Sequence, residues 1–259
     1  MVYPKKSLGQ NFLRSKKALA DIVGAGEVVH GEVVLEAGPG QGILTEALLS
    51  AGAHVLAVEK DDRLIPILEK KFEKEIFSKQ LTLIHADILE FKPVDYKLTT
   101  TNYKLIANIP YYITGAFIRK FLEMEYPPSR MVILVQKEVA ERVVARDGKE
   151  SLLSISVKAY GVPKLIAVVK RGSFSPAPSV DSAILSITEI SKKFFTDFSE
   201  ENFFKILKTG FAHKRKMLAG NLGIQSAILS HSEISPKARA EELTLEKWKN
   251  LISKLSKKF

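Results

Sequence analysis

The stretch 104–114 reads KLIANIPYYIT, and it holds the residues best suited to chemistry. A short apolar strand, Leu105 to Ala107, runs into Asn108, then Pro110 and the adjacent Tyr111 and Tyr112. A side-chain amide, a backbone carbonyl set by a proline and an aromatic face at one strand end can together hold a planar amine such as a nucleobase amino group. Asn-x-Pro is also ordinary turn chemistry, so this stretch alone leaves a turn and a base holder both open.

A second group lies upstream. Glu32 to Leu35 reads as a strand entering Glu36-Ala-Gly-Pro-Gly-Gln-Gly42, with a helix from Ile43 to Ser50. Glycines at 38, 40 and 42 let the backbone approach a ligand closely. Their spacing is G-x-G-x-G, which does not meet the dinucleotide pattern G-x-G-x-x-G. A ligand without phosphates needs only the close approach, and Glu36 suits one carrying positive charge or amine donors. A sulfonium nucleoside fits better than a dinucleotide. The strand His54 to Val58 ends at Glu59, whose carboxylate can accept two ribose hydroxyls. Leu81 to His85 is a third strand, followed by Asp87. Gly38, Glu59, Asp87 and Asn108 thus fall at four consecutive strand ends, where the ligand crevice of an open parallel sheet lies. Each alone could be a turn or cap residue, and for Asp87 in isolation that reading is preferred.

The elements that must position these residues alternate strand and helix. Helices are expected over Asp62 to Lys74, Ala116 to Met124, Lys137 to Arg146 and Ser151 to Tyr160, with a strand over Met131 to Gln136. Ser15 is a suitable N-cap for an amphipathic helix carrying Leu19, Ile22 and Val23. Pro163 to Val169 and Asp181 to Thr188 read as an antiparallel pair at a sheet edge. Between them, the loop 171–179 carries two prolines, and its Phe174 is open to two readings, an exposed second aromatic wall or a ring folded back onto the core. After Thr188 the pattern is helical: Glu200 to Phe211, Met217 to Leu222, a helix capped by Ser235-Pro236, and Leu243 to Leu255. Trp248 is at core spacing there. The expected domains are 1–190, α/β with a basic leader, and 191–259, helical and basic.

Composition sets the outer limits. The 259 residues are 46% hydrophobic and 26% charged, enough for a large α/β domain and a smaller one. No apolar run reaches the roughly 18 residues of a membrane span. There is no cysteine and no apolar signal core at the N-terminus, so the expected location is cytoplasmic. The net charge of +10 is uneven: residues 1–20 carry +5, residues 192–259 carry +7, and the middle −2. Two basic ends around a neutral-to-acidic body suit a polyanion held by the ends and chemistry done in the middle.

In order and spacing, SLGQNFL, EAGPGQG, VEKDDRL, HADIL, NIPYYIT and FSPAPSVDSAIL resemble the ribosomal RNA small-subunit adenine-N6,N6-dimethyltransferase family, over nearly the whole chain, including the basic FAHKRKMLAGNL. The resemblance implies a Rossmann-like methyltransferase domain with a mostly parallel seven-stranded sheet and a small all-helical C-terminal domain. It implies S-adenosyl-L-methionine as methyl donor, no metal, and donor contacts at Asn11, Leu13, Gly38, Glu59, Asp87 and Asn108. Asn108, Pro110, Tyr111 and Phe174 would then serve the reacting base. The implied substrate is two adjacent adenosines in a hairpin near the 3′ end of small-subunit rRNA, on a pre-30S-type particle; the sequence leaves oligomeric state open, with a monomer as the default expectation. Two alternatives share parts of the pattern. A large-subunit adenine methyltransferase of macrolide resistance also carries NIPY, but PAPSVDSAIL and the long basic C-terminal part favour the first reading. A non-catalytic RNA-binding factor on the same fold is disfavoured by the intact Gly38, Glu59, Asp87 and Asn108.

Overall fold

Nine strands form in the computed structural model, which describes residues 4–5, 8–99 and 102–256. They are β1 (Phe12–Leu13), β2 (Val33–Ala37), β3 (His54–Glu59), β4 (Leu81–His85), β5 (Tyr103–Asn108), β6 (Arg130–Gln136), β7 (Val162–Val169), β8 (Phe174–Ser175) and β9 (Ser182–Thr188). Seven of them make one sheet in the order β4-β3-β2-β5-β6-β9-β7. The pairs β4-β3, β3-β2, β2-β5 and β5-β6 are parallel, and β9 runs antiparallel to β6. Parallel strands are covered on both faces, which is why Met131 to Val135 on β6 form an unbroken apolar run and are all fully buried. The sequence reading of a mostly parallel, Rossmann-like sheet with a helical C-terminal part is the architecture found.

The helices are α1 (Lys16–Gly26), α2 (Ile43–Ser50), α3 (Ile65–Lys71), α4 (Glu73–Phe77), α5 (Thr114–Glu123), α6 (Lys137–Val143), α7 (Leu152–Lys158), α8 (Glu200–Gly210), α9 (Leu218–Leu222), α10 (Ser226–Ser230) and α11 (Leu245–Ser256). Ser15 does cap α1, its hydroxyl accepting from Ala18 N at 3.2 Å. The single helix expected over 62–74 is broken at Phe72 (φ −115°, ψ 29°), whose ring is buried in the core. Pro66 in the first turn also delays its start, since proline suits only that position.

Contacts group Met1–Ala140 with Lys164–Ile190, and Glu141–Pro163 with Ser191–Phe259. Residues 141–163, placed by sequence alternation with the first unit, thus cluster with the second. Ile155 and Ala159 of this segment belong to a core with Phe203, Leu207, Leu218, Trp248, Leu251 and Ile252. Trp248 is fully buried, as its spacing predicts. Ser235-Pro236 does not start a helix: Ala238 N donates to Ser235 O and Leu218 N to Ala238 O, so the segment closes a turn and is then held extended. The helix that forms there, α10, precedes it. Lys6, Ser7, Lys257 and Lys258 of the basic ends lie outside the described residues. Among the described residues no helix is long and apolar enough to cross a membrane.

Candidate active site

Four neighbouring parallel strands end side by side. In sheet order β4, β3, β2 and β5, their C-terminal ends present Asp87, Glu59, Gly38 and Asn108. One cavity is lined by all four, by Asn11 and Leu13 of the leader, and by Pro110, Tyr111 and Tyr112. The floor is backbone. Gly38 has φ +68°, and a Cβ built on it would meet only the Asn108 carbonyl oxygen, at 3.9 Å. The absent side chain therefore leaves open space between the β2 and β5 ends, a cradle for a ligand that approaches the main chain.

Glu59 is 5% exposed, and each of its carboxylate oxygens takes a backbone amide: Gly40 N at 3.0 Å and Asp61 N at 2.8 Å. Burial pushes its carboxyl up, and these amides pull the other way. A carboxylate oxygen holding one donor keeps acceptor capacity for another, so Glu59 can still take hydroxyl donors from the cavity. Asp87 is used differently. One oxygen accepts from Leu89 N at 2.9 Å and the other from Lys60 Nζ at 2.7 Å. Its carboxyl is held low: desolvation opposes this, and Lys60 and the Leu89 amide outweigh it.

Asn108 is oriented by the leader. Its Nδ2 donates to the Asn11 carbonyl at 3.2 Å. A carbonyl only accepts, so the amide nitrogen must face Asn11, and Oδ1 is left as an acceptor without a partner among the described residues. The Pro110 carbonyl takes the Ile113 amide at 3.2 Å in the turn 111–113, whereas the Ile109 carbonyl is not engaged by that turn. Tyr111 is half-buried with its hydroxyl 2.6 Å from the buried Ser182 Oγ, which anchors the far end of the ring at the cavity.

Phe174 departs from the sequence expectation. It is 5% exposed, does not line the cavity, and sits in the core. The cause is a two-residue pairing of β8 with β1, in which Phe174 lies opposite Leu13 and Ser175 opposite Phe12. The proline-rich loop thus supports the leader from behind.

Two residues escaped the sequence reading. Asp61 is 2% exposed, accepts from Gln10 Nε2 at 2.7 Å and is forked by Arg63 at 2.8 and 2.6 Å. Arg63 is the main cause holding its carboxyl down, at about 2. Gln10 also accepts from Lys5 N at 2.8 Å, so Asp61 ties the leader to the β3 end. The paired acids in VEKDDRL were the only signal for Asp61; Ser182 had none. Glu36, expected to face a cationic ligand, is instead fully buried, with no well-formed hydrogen bond to either oxygen and Thr45 as the polar neighbour that partly offsets its burial. Desolvation raises its carboxyl to about 8, so it is mostly neutral at pH 7. Among the described residues no group of three or more His, Cys, Asp or Glu could hold a metal ion.

In the second unit, residues 212–217 are exposed and include Lys214, Arg215 and Lys216. Asn221 Nδ2 supports this loop by donating to Gly210 O at 2.7 Å and His213 O at 3.1 Å. Phe211 stacks on Trp248 with ring centroids 5.6 Å apart.

Comparison with known proteins agrees with this architecture. A family model described as ribosomal RNA adenine dimethylase matches residues 2–257. A protein of Dehalococcoides mccartyi named ribosomal RNA small subunit methyltransferase A is 43% identical over 255 residues, covering 95% of this chain and 87% of its own. One of the same name from Lactiplantibacillus plantarum is 38% identical over 272 residues, covering 97% and 90%. Among solved structures, a dimethyladenosine transferase from Plasmodium falciparum superposes with a TM-score of 0.83 at 24% identity, covering 95% of this chain and 98% of its own. The 23S rRNA methyltransferase ErmE superposes with a TM-score of 0.77 at 25% identity, covering 95% and 100%. The chain belongs to the ribosomal RNA adenine dimethylase family.

Proposed function

We propose that this protein dimethylates N6 of two adjacent adenosines in a hairpin near the 3′ end of small-subunit rRNA, with S-adenosyl-L-methionine as donor. The observation that carries the reading is the convergence of Gly38, Glu59, Asp87 and Asn108 on one cavity beside Tyr111. The donor supplies an electrophilic methyl on a sulfonium centre. The residues fit it: open space over Gly38 admits a ligand against the main chain, and Glu59 retains acceptor capacity for ribose hydroxyls. Asp87, whose carboxylate Lys60 and the Leu89 amide keep charged, would hold a donor amine from the neighbouring strand end.

Adenine N6 is a weak nucleophile because its lone pair is delocalised into the ring. Asn108 Oδ1 and the Ile109 carbonyl accept its two N–H bonds and favour a pyramidal nitrogen. Its lone pair then points at the incoming methyl. Positive charge grows on nitrogen in the transition state, so acceptors fixed beforehand, Asn108 Oδ1 by the Asn11 contact and the Ile109 carbonyl by the main chain, stabilise that state selectively. Tyr111 stacks on the extruded base and offsets the few kcal/mol of unstacking. As the N6–carbon bond forms the sulfur–methyl bond breaks, the donor departs as a neutral thioether and the nitrogen's proton passes to solvent; a second round requires a fresh donor and room for the first methyl.

The sheet-bearing unit is assigned the chemistry, and the helical unit, with its exposed Lys214 to Lys216, a share of the RNA contact. A monomer acting on a pre-30S-type particle in the cytoplasm completes the reading. Higher identity to relatives named for the small subunit than to ErmE favours the small-subunit RNA over the large. Incubation of the protein with labelled donor and each purified subunit tests this: label is expected in small-subunit RNA. Label confined to large-subunit RNA would overturn the assignment.

A further inference from the structure

Two adjacent tyrosines meet opposite fates at the cavity. Tyr111 is anchored through Ser182, while Tyr112 is 65% exposed and its hydroxyl has no hydrogen bond among the described residues. Tyr112 is nevertheless held in place. A Cβ built on Gly9 would lie 3.2 Å from Tyr112 Cδ1 and Cε1 and 3.3 Å from Pro110 Cβ. Gly9 also has φ +60°, which favours glycine. One part of the ring thus rests on leader backbone that glycine alone brings so close, and the rest faces solvent at the cavity wall. An exposed ring, seated but with an unused hydroxyl, is built for stacking.

We infer that Tyr112 is a substrate-contact residue that stacks on the nucleotide adjoining the reacting adenine; this rests on the function proposed above. Extruding a base removes one stacking partner from its neighbour, and every base has a π-face that an exposed ring can replace it with. In a substrate with two adjacent target adenosines, that neighbour is itself the other target. Tyr111 would then hold the base inside and Tyr112 the one outside.

The test compares wild type, Tyr112→Ala, Tyr112→Phe and Gly9→Ala in steady-state methyl transfer to small-subunit particles, with donor affinity measured by calorimetry without RNA. Tyr112→Ala is expected to raise KM for the particle about tenfold, with kcat and donor Kd within about twofold. Tyr112→Phe should match wild type, because the hydroxyl is unused. Gly9→Ala should raise the same KM by displacing the ring. An unchanged KM for Tyr112→Ala would overturn the inference, as would a weaker donor Kd with an unchanged particle KM, which would make Tyr112 a cover for the donor. Wild type without any methyl transfer would sink the functional reading and the inference with it, a result distinct from either of these.

Discussion

The two units treat charge in opposite ways. The sheet-bearing unit buries Glu36, Glu59 and Asp61 at or near its strand ends, whereas the helical unit holds Glu150 only partly buried, paired with Lys158 at 2.5 Å, and leaves Lys214, Arg215 and Lys216 in solvent. Burying a carboxyl is costly unless something compensates it. Glu59 and Asp61 are compensated by backbone amides and Arg63, and Glu36 by neutrality. The helical unit spends its burial on aromatics instead, with Phe194, Phe198 and Phe203 packed edge to face or stacked around Trp248's core. Such a division suits a rigid small-ligand site in one unit and adaptable polyanion contacts in the other.

Breaking the rigid site should have the largest effect. Asn108→Ala removes the oriented acceptor, and single-turnover methyl transfer is expected to slow by about 100-fold or more. Near-normal rates in this variant would remove Asn108 from the mechanism. Glu59→Ala comes next: a charged hydrogen bond contributes roughly 1.5 to 3 kcal/mol, so donor affinity should fall about tenfold to 100-fold while RNA affinity stays. Calorimetry on the free protein reads this directly, and an unchanged donor Kd would place the ribose elsewhere.

The cost of the neutral buried acid can be read from pH. The Glu36 carboxyl rises from 4.5 to about 8 on folding, so between these values the folded state holds a proton that the unfolded state has released. Its contribution to stability is therefore present at low pH and lost as pH rises toward about 8, at up to about 1.4 kcal/mol per pH unit. Urea unfolding of Glu36→Gln beside wild type at pH 6 and 7 should show a shallower pH dependence in the variant. Equal slopes would mean that Glu36 is charged in the folded protein.

The smallest effect is expected in the helical unit. Replacing Lys214, Arg215 and Lys216 with Gln should lower the slope of log K for RNA against log salt by roughly 2 to 3 units, with donor binding unchanged. A slope that does not move would show the three charges to be merely solvated, and the contrast between the units would lose its second half.

Much of this was legible in the sequence because it is local. Strand ends at Gly38, Glu59 and Asn108 follow from apolar runs that stop at a glycine or a polar residue. The β1-β8 pair was not legible: it joins two-residue strands more than 150 positions apart, too short for any periodicity, and it buries Phe174 where loop composition left exposure and burial both open. The orientation of Asn108 was hidden for the same reason, since the Asn11 carbonyl that sets it comes from the distant leader. Residues 141–163 were misplaced because alternation of elements reports order along the chain, and only packing reveals that Ile155 and Ala159 join the aromatic core.

In the proposed reaction one cavity serves two neighbouring bases and methylates each of them twice. Mass mapping of small-subunit RNA fragments after exhaustive reaction with wild-type protein tests it most directly. Two methyl groups are expected on N6 of each of two adjacent adenines near the 3′ end. Methyl groups on a single adenine, only one per adenine at completion, or methylation at another atom would contradict it.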